Sequence, residues 1–234
     1  MCYVVAAVGV HDSCHAESRW RRRIVIRDRN RSEDALGWSL PQAVADVACA
    51  GRALHDWIAS RAGADSGDPP ISLHGESFGG GLAVLAAAQT PPTLVRFDRL
   101  AIGLPTFGDW PWRLADPSRM ALGAGAELLA LLRSLEGDAA ADTLRLCDAA
   151  VHAAQVHAPT LCKLAWRDEV VPAPAAAPVY NALGPDPGSH SRFRAPDGHT
   201  APPPPCARRP ALFARRLAAP PDPPPRPTPP LPHV

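Results

Sequence analysis

The sequence has little of what would mark it for a membrane, a nucleic acid or an oxidising compartment. Lysine is almost missing, with Lys163 alone beside 23 arginines, and there are only two methionines and two tyrosines in 234 residues. Neither sign of charge dominates: 24 basic residues face 23 acidic ones, and a net charge of +1 argues against a surface built as a whole for nucleic acid or anionic lipid. No run of 18 apolar residues occurs. The apolar start YVVAAVGV has no basic segment before it, so neither a membrane span nor a signal peptide is supported. The six cysteines, Cys2, Cys14, Cys49, Cys147, Cys162 and Cys206, lack both C-x-x-C spacing and the density of a disulfide scaffold. They read as reduced thiols of a cytoplasmic protein.

What is present is the profile of a globular chain, with 46% hydrophobic and 20% charged residues. Proline is abundant but uneven, because 14 of the 29 prolines fall in residues 201–234, where PPPP and PPDPPPRP leave few backbone donors for helix or sheet. The expected division is therefore a folded domain over residues 1–200 and a disordered proline-rich tail over 201–234, within which ALFARRLA has the pattern of one amphipathic helix.

Within the domain, β-branched runs at residues 3–10 and 24–26 read as buried strands. Seven arginines between Arg19 and Arg31 surround the second run. A nucleic-acid patch is the sharper reading of them, and a solvated turn beside a strand is favoured by the neutral overall charge. From Ser39, with Pro41 in the first turn, Val44, Val47, Leu54 and Ile58 fall along one face of a helix ending near Arg61. GADSGDPP is turn chemistry, ISLH a short strand, and LAVLAAAQ a helix. Later, RLAIGLP and TLCKLAW read as buried strands, with helical patterns at residues 125–135 and 140–154 between them. Residues 173–183 suggest a helix confined by Pro174 and Pro178, and SRFRAP a last strand. Alternating helices and strands predict an α/β fold with a mostly parallel sheet.

Between ISLH and LAVLAAAQ lies Gly75-Glu76-Ser77-Phe78-Gly79, a G-x-S-x-G sequence. By chance this pattern arises in roughly one chain in fifteen of this length. Its place between a predicted strand and a predicted helix raises its weight, since a nucleophile elbow needs a sharp strand-to-helix turn that lifts the serine hydroxyl above the sheet. Such a serine needs a base and an orienting acid, which follow it in the order acid, histidine. Asp168 follows TLCKLAW and His199 follows SRFRAP, so both lie where that order predicts. Glu169, Asp197 and His190 compete for the same roles.

HGESFGGGLAVLAAA, the proline turn LPTFGDWPWRL, the segment from TLRLCDAA through WRDEVVP to VYNALG, and DGHT together resemble the acetyl xylan esterase and cephalosporin C deacetylase family of α/β hydrolases, over about Ala43 to His199. The resemblance implies an α/β-hydrolase sheet reduced at its N-terminus, Ser77 as nucleophile, Asp168 as acid and His199 as base. It also implies Phe78 as an oxyanion-hole N–H donor, removal of acetyl groups from sugars or related small esters, no metal or organic cofactor, and a homo-oligomer. Two positions depart from the family, which commonly has Gln after the nucleophile and Glu after the base where this chain has Phe78 and Thr200. The family's upstream H-G-Y and R-G-Q motifs have no counterpart, and His11-Asp12-Ser13 is the segment left for the loop that supplies a second oxyanion donor. An elbow does not fix the substrate. A dienelactone-hydrolase-like or peptidase-like enzyme, and an inactive remnant serving as a binding module, remain alternatives at this level.

Overall fold

A computed structural model describes residues 2–5, 39–61, 67–120, 144–184, 190–195 and 198–199. Among these described residues five strands form one sheet: β1 (Cys2–Val5), β2 (Ile71–Glu76), β3 (Arg99–Gly103), β4 (Thr160–Ala165) and β5 (Ser191–Ala195). They lie in sequence order, and every adjacent pair is parallel. A parallel neighbour cannot be reached by a tight hairpin, so each connection has to cross over from one end of the sheet to the other. All five strands consequently end at one edge, and the segments after β2, β4 and β5 emerge at that same edge.

The helices are α1 (Ser39–Ala59), α2 (Phe78–Gln89), α3 (Trp110–Leu114), α4 (Ala149–His152) and α5 (Ala173–Asn181). In α1 the predicted stripe is real: Val44 and Val47 are buried while Ala45, Asp46, Cys49 and Ala50 between and after them are exposed. The helix starts on Ser39 itself rather than after it, a one-residue difference of the kind that helix ends allow. By contrast, α2 is buried from Gly79 to Ala86 and packs against β2, β3, α1 and α4. Its small side chains let the helix lie close to the sheet. The core is continuous from Ile71 and Leu73 of β2 through Val84 and Leu85 of α2 to Ile102, Cys162, Leu164 and Val179.

Two expectations need correction. The helix expected over 140–154 is broken: residues 144–146 are helical, Cys147 turns, and the chain restarts as α4. Asp148 is the cause, because its carboxylate accepts from the Ala150 N–H as a helix cap and also from the N–H groups of Asp109 and Trp110. Second, the proline turn after β3 contains α3, which the sequence reading missed. The signals were present in Asp109 as its N-cap, accepting from Trp112 N at 3.2 Å, and in Pro111 in the first turn. Elsewhere β2 runs two residues past ISLH to Glu76, β3 and β4 stop at Gly103 and Ala165, and α5 ends at Asn181 with Pro178 inside it. The strand expected at 24–26, the arginine-rich stretch, the helix at 125–135, Asp197, Thr200 and the tail lie outside the described residues, as does His11-Asp12-Ser13.

Candidate active site

Ser77 sits between the last residue of β2 and the first of α2 with φ 56° and ψ −119°, a conformation that costs a non-glycine residue roughly 1–3 kcal/mol. The surroundings impose it. The Ser77 N–H donates to Gly103 O of β3 at 2.8 Å, and its carbonyl accepts from Gly80 N, Gly81 N and Thr106 N at 3.0, 3.2 and 3.1 Å. A Cβ at Gly75 would run into the carbonyl oxygen of Gly79, so the glycine two before the serine is a steric requirement of the turn.

The three residues expected to act together do converge. Ser77 Oγ lies 3.0 Å from His199 Nε2, and His199 Nδ1 lies 2.8 Å from Asp168 Oδ2. An ionised carboxylate can only accept, so in neutral His199 the proton resides on Nδ1 and Nε2 is left to accept from the serine hydroxyl. Asp168 is 5% exposed. Its other oxygen, Oδ1, accepts from Val170 N and Val171 N at 2.9 and 2.8 Å, which fixes the carboxylate ahead of α5. Of the competing residues, Glu169 is exposed and His199 bonds to Asp168. His190 precedes β5 and is not the ring that meets Ser77.

Phe78 opens α2, and an N–H at the first position of a helix has no intrahelical acceptor and attracts negative charge. The Phe78 ring meets Phe107 edge to face at 4.9 Å, and Phe107 meets Trp110 at 6.1 Å. Beside the serine, Glu76 reaches over Gly103 to pair with Lys163 on β4, which ties the elbow to the strand that leads to Asp168. Neither Lys163 nor Asp148 was singled out from the sequence.

The parallel strands in sequence order, with helices packed against them, form an arrangement shared with known structures. The fold is that of the α/β hydrolases. Within this fold the chain is similar to an acetyl xylan esterase from Paenibacillus sp. R4, with TM-score 0.60 and 22% identity, covering 80% of this chain and 55% of that one. It is also similar to acetyl xylan esterase 1 from Thermoanaerobacterium sp. JW/SL YS485, with TM-score 0.57 and 18% identity over 84% of this chain and 62% of that one. A puromycin hydrolase matches at TM-score 0.51 and 17% identity, over 74% of this chain and 23% of its own. The chain thus spans little more than half the length of the two esterases. No protein-family model matches it, and no curated protein matches it by sequence. No described helix of this α/β-hydrolase fold is long and apolar enough to cross a membrane.

Proposed function

We propose that the protein is a serine carboxylester hydrolase that removes acetyl groups from acetylated sugars or related small esters. The observation that carries the reading is the hydrogen-bonded line from Asp168 Oδ2 through His199 to Ser77 Oγ. In that arrangement the Ser77 oxygen attacks the ester carbonyl while its proton passes to His199 Nε2, and Asp168 holds the tautomer and stabilises the imidazolium. The Phe78 N–H stabilises the oxyanion, a contribution worth about 10²–10³ in rate for one donor. His199 then protonates the departing alcohol. Water attacks the acyl-serine through the same base and releases acetate. The acetyl preference is supported by the sequence resemblance and by the two acetyl xylan esterases among similar structures, and a cytoplasmic location by the free thiols of Cys49, Cys147 and Cys162.

A panel of acetyl, butyryl and peptide substrates tests the proposal. Acetyl esters are expected to turn over fastest and Ser77→Ala to abolish turnover. A preference for longer acyl chains or peptides overturns the acetyl assignment. An inactive parent, or activity that survives Ser77→Ala, overturns the catalytic one.

A further inference from the structure

Arg52, Arg96 and Arg119 each pair with an acid no more than four positions away in the chain. Lys163, the single lysine of the protein, reaches much further: its Nζ donates to Glu76 Oε1 at 2.5 Å, between residues 87 positions apart. Glu76 ends β2 directly before Ser77, and Lys163 lies on β4, five residues before Asp168. The register Glu76↔Gly103↔Lys163 sets the three residues in one row across the sheet. Paired residues of neighbouring strands point to the same face, so both side chains leave the sheet on one side. Their strands are two interstrand spacings apart, about 10 Å, and the two long side chains have to meet over the strand between them.

The glycine in the middle of the row is what lets them meet. A Cβ at Gly103 would lie 3.1 Å from Glu76 Cγ and 3.4 Å from its Cδ and Oε1, so the glutamate arm lies across space that any other residue would fill. The backbone is bonded at the same level. Ser77 N–H donates to Gly103 O at 2.8 Å, and Leu104 N–H donates to Lys163 O at 2.9 Å. The turn that carries the nucleophile is thus joined to the strand that carries the acid twice, by backbone bonds through β3 and by side chains over it. Lys163 and Glu76 are 30% and 51% exposed, and an ion pair this open adds little to global stability. Its leverage is geometric, because a misplacement of about 1 Å between reacting groups can cost about 10²-fold in rate.

Building on the hydrolytic reading above, we propose that Glu76 and Lys163 are positioning residues: their ion pair over Gly103 clamps β2 to β4 and so holds Ser77 at reacting distance from the histidine that Asp168 orients. Neither side chain takes part in the chemistry. A clamp of this kind acts only as a pair, so removing either partner has the same consequence and removing the second adds nothing.

The test measures kcat and KM for 4-nitrophenyl acetate, and the hydrogen-exchange rates of the Ser77 and Leu104 amides, in the parent, Glu76→Gln, Lys163→Met, the double variant and Lys163→Arg. Each neutral single variant is expected to lower kcat about fivefold with KM within about twofold, the most that an exposed pair can contribute. The double variant is expected to be no slower than the slower single, and Lys163→Arg, which keeps the charge and the reach, to stay within about twofold of the parent. The Ser77 and Leu104 amides are expected to exchange about fivefold faster in the neutral variants while those of α1 keep the parent's rates. Single losses that multiply in the double variant overturn the proposal, as does an acceleration shared by α1. So does a Lys163→Met enzyme as fast as the parent or faster, which is the result if Glu76 acts on the imidazolium by its charge alone. An inactive parent counts against the hydrolytic reading, and the exchange rates then decide the clamp: unchanged rates at Ser77 and Leu104 overturn it.

Discussion

The turn after β2 and the loop after β3 leave the sheet at the same edge, and both hold non-glycine residues at positive φ, but they are held there by different means. In the first, one strained residue, Ser77, is flanked by glycines that let α2 press against the strand. In the second, Leu104, Phe107 and Asp109 have φ of 48°, 66° and 52° with Gly108 among them, and the strain is held by tertiary contacts. Phe107 O accepts from Ala149 N at 2.7 Å, and the buried Asp148 takes the N–H groups of Asp109 and Trp110. The two turns are joined where Thr106 N donates to Ser77 O. Backbone strain at a site can thus be written into local sequence or imposed from a distance, and here the second kind supports the first.

The largest test of this contrast removes the chemistry and keeps the turn. Ser77→Ala is expected to lower ester hydrolysis by about 10⁴-fold or more with little change in stability, as measured by steady-state rates and thermal unfolding. Removing the local determinant comes next. Gly75→Ala forces Cβ against the Gly79 carbonyl and is expected to destabilise the fold by about 3 kcal/mol or more, read from urea midpoints.

Removing the distant determinant should cost less and show elsewhere. Asp148→Ala strips three backbone N–H groups of their acceptor, and about 2–4 kcal/mol of stability is expected to be lost. Its signature is chemical. Burial pushes the Cys147 thiol up to about 11 and Cys162 up to about 12, so alkylation at pH 8 is expected to modify exposed Cys49 and spare both in the parent. In Asp148→Ala, Cys147 becomes reactive while Cys162 remains protected, and equal protection of Cys147 in the two proteins would contradict the anchoring role of Asp148. The smaller change Asp109→Gly relieves a left-handed residue and removes a helix cap. The two effects nearly cancel, to within about 0.5 kcal/mol.

The smallest effect concerns the approach to β2. His55 Nε2 lies 2.7 Å from Asp68 Oδ1, and hydrogen bonds to Asp68 and then Asp56 hold the imidazole above its usual pKa. A raised histidine stabilises the fold fully below its unfolded value near 6.5, and this contribution is lost as pH rises through the higher folded value. Asp68→Asn is therefore expected to lower the unfolding temperature slightly at pH 6 and not at pH 8.5. The same small loss at both values would show that the pair does not act through charge.

Much of the site was legible because its determinants are local. The glycines around Ser77, the strand before it, and the loop positions of Asp168 and His199 after later strands can each be read within a few residues. What was not legible depends on partners far along the chain. Asp148 breaks a helix by bonding a loop some forty residues earlier, and α3 was hidden in a segment whose prolines suggested only a turn. Asp168, favoured over Glu169 by the resemblance, is the one of the two adjacent carboxylates that the chain turns inward, which the residues alone do not show.

By itself, then, the sequence determined the alternation of helices and strands, the tight turn at Ser77 and the order in which Asp168 and His199 follow it. Periodicity, turn chemistry and glycine sterics act over a few residues and leave a direct trace in it. Tertiary structure alone decided that β1 to β5 lie parallel in chain order, so that Ser77, Asp168 and His199 meet within 3.0 Å. It alone also buried Arg113, Asp148 and Asp168. Burial and electrostatic pairing depend on which surfaces meet in space, and residues distant in sequence leave no local pattern of it.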